Sequence, residues 1–167
     1  MGAVDPGRLR TPEPLAEHHV LDDFACVEPS LADWLRRRAR KNAEQGASRT
    51  YVVCADNEVV GFYALSAGAV ASEQAPGGMR RNMPDPIPAI LLGRLAVHEQ
   101  WSGMGIGAGL LKDAILRSLA GAQAIGARAL LCHAISAPAK RFYLHHGFVE
   151  SPIDPMTLML DLTKLQG

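Results

Sequence analysis

The sequence lacks the features that would commit it to a membrane, a metal or an oxidising compartment. Its 167 residues hold only three cysteines, Cys26, Cys54 and Cys132, far apart and without a C-x-x-C pair. That excludes a zinc ribbon and a redox dithiol, and suits reduced thiols inside a cell. His18, His19, His98, His145 and His146 read as exposed or helix-end residues without metal-ligand spacing, so no metal is expected. No apolar run approaches the roughly 18 residues that span a bilayer. The N-terminus lacks a basic-then-apolar signal. Met1-Gly2 does not continue into a myristoylation pattern, because Pro6 stands where Ser or Thr is needed. A cytoplasmic protein without a membrane partner is expected. Net charge is absent too: 17 basic residues balance 17 acidic ones, so total charge says nothing about a polyanionic partner. There is no internal repeat or low-complexity tract, and the length suits one domain over 1–167.

Residues 1–14, rich in Pro, Gly and charge, read as a loosely ordered N-terminal segment ahead of a short strand. Pro29-Ser30 precede Leu31, Trp34, Leu35 and Ala39, an apolar face at helical spacing that Gly46 closes. Thr50 to Cys54 and Val59 to Val70 predict an antiparallel hairpin around the turn Asp56-Asn57. Residues 72–88 read as a loop. Ala89 to Val97 is almost continuously apolar, as in a strand buried on both faces. After a glycine turn, Ile106, Leu110, Leu111, Ala114, Ile115 and Leu119 mark an amphipathic helix. A second buried strand over 127–134, a helix over 136–145 stopped by Gly147, and strands near Phe148 and over 156–162 complete the order. This is an α/β domain with a mixed sheet around a strand–turn–helix–strand unit.

Gly103, Gly105, Gly107 and Gly109 alternate at the start of that helix. Successive backbone N–H groups and the helix dipole make such a turn an anion site, and a diphosphate is its natural occupant. It is not a Walker loop, because Ile106 follows Gly105 where Lys is required. Gly103, Gly105 and Ala108 fit G-x-G-x-x-A, but the next strand ends Leu131-Cys132-His133-Ala134 without the acid of a dinucleotide fold. Tight helix–strand packing with no ligand is the remaining alternative. Each of these glycines weakens the helix by about 0.8–1 kcal/mol against Ala, which makes packing a poor reason for four.

The segment Gln100-Trp101-Ser102-Gly103-Met104-Gly105 resembles the acetyl-CoA pyrophosphate loop of the GNAT acetyltransferase superfamily. Ala139, Tyr143 and Gly147-Phe148 resemble a second motif of that family, with Ser136 where an Asn usually stands. The resemblance implies a single GNAT domain with acetyl-CoA as its cofactor. It implies cofactor contacts from the backbone of Leu95, Ala96 and Val97. It extends them to Gln100, Ser102, Gly103, Met104, Gly105, Ile106, Gly107 and Ala108, and to Ser136 and Ala139. From the residues alone, Tyr143 serves as simply to pack its helix. The resemblance makes it the general acid that protonates the leaving thiolate.

No base stands out. Glu99 is the nearest acid, and reads as a solvated surface group. An α-amine of pKa about 7.7–8 is roughly a quarter neutral at physiological pH, whereas a lysine amine at about 10.4 is almost wholly charged. A site without a base therefore suits an α-amine.

Arg36, Arg37, Arg38, Arg40 and Lys41 cluster on one predicted helix, with Arg49 beyond, Arg80-Arg81 in the long loop and Arg94 on the strand entering the turn. A solvated helix face is one reading and a phosphate-backbone footprint the other. Arg94, inside an apolar strand, calls for an anionic partner. Leu35 to Asn42, Gly46 to Val53, Arg81 to Pro88, Leu92 to Val97 and Ser151 to Met156 resemble the GNAT toxins of bacterial type II toxin–antitoxin modules, the TacT-like group. That resemblance implies acetylation of the α-amine of aminoacyl-tRNA and a block of translation. It implies a homodimer, a ribbon-helix-helix antitoxin and a tRNA surface of Arg36, Arg37, Arg40, Lys41, Arg80, Arg81 and Arg94. A GNAT acting on a small amine or a protein N-terminus, or a weakly catalytic co-repressor, is the alternative.

Overall fold

The computed structural model describes residues 6–165; the reading of Met1-Gly2 falls outside them. In chain order the elements are β1 (Glu13–Pro14), α1 (Pro29–Arg37), α2 (Ala39–Glu44), β2 (Arg49–Ala55), β3 (Glu58–Val70), α3 (Gly77–Arg80) and β4 (Ile87–Val97). They continue with α4 (Ile106–Ile125), β5 (Ala129–His133), α5 (Ala137–His145), β6 (Val149–Glu150) and β7 (Thr157–Asp161). The strands form one mixed sheet in the order β1-β2-β3-β4-β5-β7-β6. β1–β2, β2–β3, β5–β7 and β6–β7 pair antiparallel, and β4–β5 pairs parallel through Ala89, Ile90 and Leu91. The chain divides into two compact units: the residues up to Ser66 with Arg94–Ala114, and Ala67–Gly93 with the residues from Ile115 onward.

In the first unit, Phe24, Leu35, Ala39, Val52, Val59 and Phe62 form the core. Phe24 meets Phe62 edge-on at 5.5 Å, and Trp34 stacks on Phe62 at 6.1 Å. The start of α4 lies against β3 where Gly61 leaves room. A Cβ there would stand 2.9 Å from Leu110 Cδ1 and 3.1 Å from Ile106 Cγ2. In the second unit, Val70, Met79, Ile87, Ala89, Leu131 and Met159 pack together. There the Arg128 guanidinium pairs with Asp161 at 3.0 and 3.1 Å. Burial alone would push the Asp161 carboxyl up, but the hydrogen bonds from Arg128 and Thr163 outweigh it and hold the pKa below the usual carboxylate range.

Several expectations need correction. The helix expected from Leu31 to Gly46 is two helices, because Arg38 leaves the helical region at φ −123°. The 72–88 loop contains α3 and the first residues of β4. β4 is not buried on both faces: Ile90, Leu91, Arg94 and Leu95 are half-buried and Gly93 is exposed. Within the N-terminal stretch expected to be loose, Leu9 bridges Ala55, the Arg10 amide donates to Cys54 O at 2.9 Å, and β1 pairs with β2. Carbonyls of the partner strand satisfy this backbone, so residues 9–14 are tied to the sheet; residues 1–5 lie outside the described ones.

Candidate active site

The alternating glycines form an open row of donors. Gly103 and Gly105 have φ of +77° and +81°, a conformation that L side chains rarely adopt. A Cβ on either would meet nothing within 4 Å. Glycine is therefore required here by the backbone path and by whatever approaches it, and packing demands nothing. The first amide of this helix to find a backbone acceptor is that of Gly109, which donates to Gly105 O at 3.1 Å. Among the described residues the amides of Gly103, Met104, Gly105, Ile106, Gly107 and Ala108 have no acceptor. Unpaired amides at the head of a 20-residue helix match the oxygens of a diphosphate. The residues present therefore fit the cofactor named by the resemblance.

The turn is braced from behind. The Gln100 amide donates to His98 Nδ1 at 3.1 Å, Ser102 Oγ donates to Glu99 O at 2.9 Å, and the His98 amide donates to Val60 O at 2.7 Å. Ser102 thus spends its hydroxyl proton on the turn itself. Glu99 is exposed, as expected of a solvated carboxylate. Leu95, Ala96 and Val97 end β4 immediately before this brace, with Ala96 buried in the first unit's core. Arg10, invisible to the sequence reading, lines a small cavity with Met104, Ile106 and Gly109 and brings a cation beside the cradle. A larger cavity of about 380 Å³ touches Gln100 and Trp101, but Asp23, Glu58 and Glu99 line it, which is the wrong charge for a diphosphate.

Ser136 caps α5, its Oγ accepting the Ala139 amide at 3.2 Å. The two residues proposed as cofactor contacts are thus engaged with each other, although the Ser136 O–H can still donate. Tyr143 lies on α5, buried between Phe142 and Phe148, each at 5.3 Å between ring centroids. Its hydroxyl has no hydrogen-bond partner among the described residues. Burial, with a smaller contribution from Cys132, pushes its pKa far above the usual phenol range, so it stays protonated. Such a phenol protonates an ordinary thiolate poorly. Burial likewise pushes the neighbouring Cys132 thiol up to about 12.

At the far end of β5, His133 Nδ1 lies 3.0 Å from Thr157 Oγ1, and Thr157 Oγ1 donates to Asp154 Oδ2 at 2.7 Å. This chain was not legible in the sequence, because the β5–β7 register that pairs His133 with Thr157 is a tertiary fact.

The basic strip divides. Arg36 donates to Phe24 O and pairs with Asp33 at 2.9 Å. Arg40 donates to Ala16 O at 3.2 Å and His19 O at 2.6 Å. Both tie the 16–24 loop to the helices; Arg36 is still exposed, whereas Arg40 is half-buried because loop carbonyls took its guanidinium. Arg37 and Lys41, with Arg38, are exposed, as are Arg80 and Arg81. Arg94 has no carboxylate partner among the described residues. Its Cζ stands 4.3 Å from the Trp34 ring centroid, and burial lowers its pKa. The electron-rich indole face replaces the expected anion.

His19 is buried rather than exposed, beside Glu13 and Cys54, whose donor atoms all lie within 4.8 Å of one another. Its Nδ1 accepts the Ala16 amide at 2.8 Å, so Nε2 keeps the ring hydrogen and donates to Glu13 at 2.8 Å. That hydrogen bond is the chief cause holding the Glu13 pKa down. A metal at Nε2 would have to displace that hydrogen, so the trio reads as a clasp for β1.

Residues 46–150 match the acetyltransferase (GNAT) domain family. The chain is 51% identical over 149 residues to the tRNA-acetylating toxin of Mycobacterium tuberculosis (strain ATCC 25618 / H37Rv), covering 89% of this chain and 90% of that protein. It is 25% identical to a probable toxin TacT of Sinorhizobium fredii (strain NBRC 101917 / NGR234), over 93% and 92% of the two chains. AtaT complexed with acetyl-methionyl-tRNAfMet superposes with a TM-score of 0.88 at 25% identity, over 95% of this chain and 97% of that one. The donor row at α4, the buried tyrosine on α5 and these similarities agree: the chain belongs to the GNAT acetyltransferase family, among its toxins.

Proposed function

We propose that the protein transfers an acetyl group from acetyl-CoA to the α-amine of aminoacyl-tRNA in the cytoplasm, and so stops translation. The observation that carries this reading is the 51% identity, over nine-tenths of both chains, to a tRNA-acetylating toxin. When bound, acetyl-CoA supplies an activated acyl group as a thioester. The amides of Gly103 to Ala108 hold its diphosphate, with Arg10 adding charge. The backbone of Leu95, Ala96 and Val97 orients the pantetheine arm. Tyr143 keeps its proton until a thiolate forms, and then donates it. Arg37, Lys41, Arg80 and Arg81, exposed and free of ion pairs among the described residues, attract the tRNA backbone. Arg94, its guanidinium held over the Trp34 indole, offers phosphate a planar donor.

The two compact units act as one acetyltransferase domain in this reading, and the protein works as a homodimer. A ribbon-helix-helix antitoxin neutralises it. Solved structures of an AtaT mutant with the C-terminus of antitoxin AtaR, and of AtaTR bound with AcCoA, support an antitoxin partner and an acetyl-CoA donor. The test is purified protein, acetyl-CoA and bulk charged tRNA, followed by mass spectrometry of the released aminoacyl-adenosine. Acetylated α-amine is expected, with an apparent affinity that falls steeply with salt. Acetylation of free amines or protein N-termini in preference to charged tRNA would replace this reading.

A further inference from the structure

We propose that His133 is the base that takes the proton from the attacking amine, and that Thr157 and Asp154 are the positioning residues that fix its tautomer. The inference rests on the acyl-transfer reading above.

His133 is the last residue of β5 and is exposed, whereas Cys132 before it is buried near Tyr143. Alternation along the strand turns the two side chains to opposite faces. Acyl transfer needs two such groups, one to take a proton from the amine and another to give one to the sulfur. The direction of the hydrogen bonds decides the ring's state. Asp154 Oδ1 accepts the Met156 amide at 3.0 Å, and Oδ2 faces the Thr157 hydroxyl at 2.7 Å. Those two hydrogen bonds, Thr157's first, outweigh burial and hold the Asp154 carboxyl below its usual range, with the Lys140 charge adding to the effect. Asp154 is therefore ionised and only accepts. The single Thr157 hydroxyl proton must point to it, so Thr157 Oγ1 accepts from His133 Nδ1–H. The lone pair is left on Nε2, away from the sheet partner, as a general base requires. Backbone hydrogen bonds close the loop where this matters: the Thr157 amide donates to Asp154 O at 3.1 Å and the Ser151 amide to Thr157 O at 2.8 Å. The other charges on this side, Lys140 and Glu150, pair with each other at 2.8 Å.

The step balances. The amine lone pair forms the bond to the acyl carbon, and the displaced amine proton goes to His133 Nε2. The carbon–sulfur bond breaks with its electron pair on sulfur, which takes the Tyr143 proton. Solvent then returns a proton to the phenolate and removes one from the imidazolium.

Two measurements test this. Nitrogen-15 NMR of histidine-labelled protein without ligand should show neutral His133 carrying its hydrogen on Nδ1. Thr157→Val should shift the hydrogen toward Nε2. His133→Gln should lower kcat about 100- to 10,000-fold near neutral pH, with acetyl-CoA affinity unchanged and the loss shrinking as pH rises and the amine deprotonates itself. Free imidazole should restore part of the rate to His133→Ala. An Nε2–H tautomer in the wild type, or unchanged turnover in folded His133→Gln, overturns the assignment. If the wild type ignores charged tRNA, the function above fails separately, and the same variants are read on whichever amine the wild type does acetylate.

Discussion

Gly105 is the position at which the cradle and the backbone can be tested apart. Its φ of +81° makes any L residue strained, by about 1–2 kcal/mol for the left-handed conformation. The space around a Cβ is empty to 4 Å, so Gly105→Ala should cost no more than that strain. For a chain of this size the melting temperature should fall by about 2–8 °C. Gly46 has φ +75° and equally open surroundings, but lies away from the donor row. Gly46→Ala is thus a matched control for strain alone. Gly105→Glu adds a carboxylate to the cradle. At about 5 Å from one phosphate charge, with an effective dielectric near 20, the repulsion is about 3 kcal/mol, on the order of 100-fold in affinity. Calorimetry with acetyl-CoA and thermal melts of all three variants make the assay. The expected pattern is equal loss of stability in both Ala variants and loss of affinity only at Gly105. Wild-type acetyl-CoA affinity in a folded Gly105→Glu protein would refute the diphosphate assignment.

Further outcomes follow from the same structure. Tyr143→Phe should keep acetyl-CoA affinity by calorimetry and lose about 100- to 10,000-fold in kcat, since only the proton donor is removed. Arg37→Glu with Lys41→Glu should leave the melting temperature near wild type and weaken charged-tRNA binding, the salt slope falling by about 1 per lost phosphate contact. Arg40→Leu should instead lower stability by at least about 2 kcal/mol in urea melts, because the Ala16 and His19 carbonyls lose a charged donor. Asp161 has a depressed folded pKa, so its contribution is present above the unfolded value of about 3.9 and is lost as pH falls through the lower folded value. Asp161→Asn should reduce stability at neutral pH by about 3 kcal/mol and flatten that acid limb in pH-dependent melts.

The central unit was legible because its signals are local. Four alternating glycines announce a turn whose amides have nowhere to go, and the apolar run of β4 and the repeat from Ile106 to Leu119 frame it. Tyr143 was legible only through motif resemblance; that it is buried beside Cys132 is a packing fact. The basic strip shows the limit. In sequence Arg36, Arg37 and Arg40 are alike, yet the 16–24 loop claims two of them, and no local pattern says where that loop lies. Arg94 was expected to find an acid and found Trp34, sixty residues earlier in the chain. His133 alternates with Cys132 on a strand, and nothing beside it in sequence gives it a partner. The alternation holds, but the strand ends there, and β7 supplies the partners.

The two-residue strands that end the sheet carry a last consequence. β1 includes Pro14, which has no amide to offer, and Pro12 stands just before it; β6 is followed closely by Pro152. A proline at a border cannot extend a ladder, and a border of two residues gives an incoming strand little to copy. Accumulated protein with no partner bound should therefore resist fibrillar self-association, remaining silent to amyloid dyes as its concentration rises.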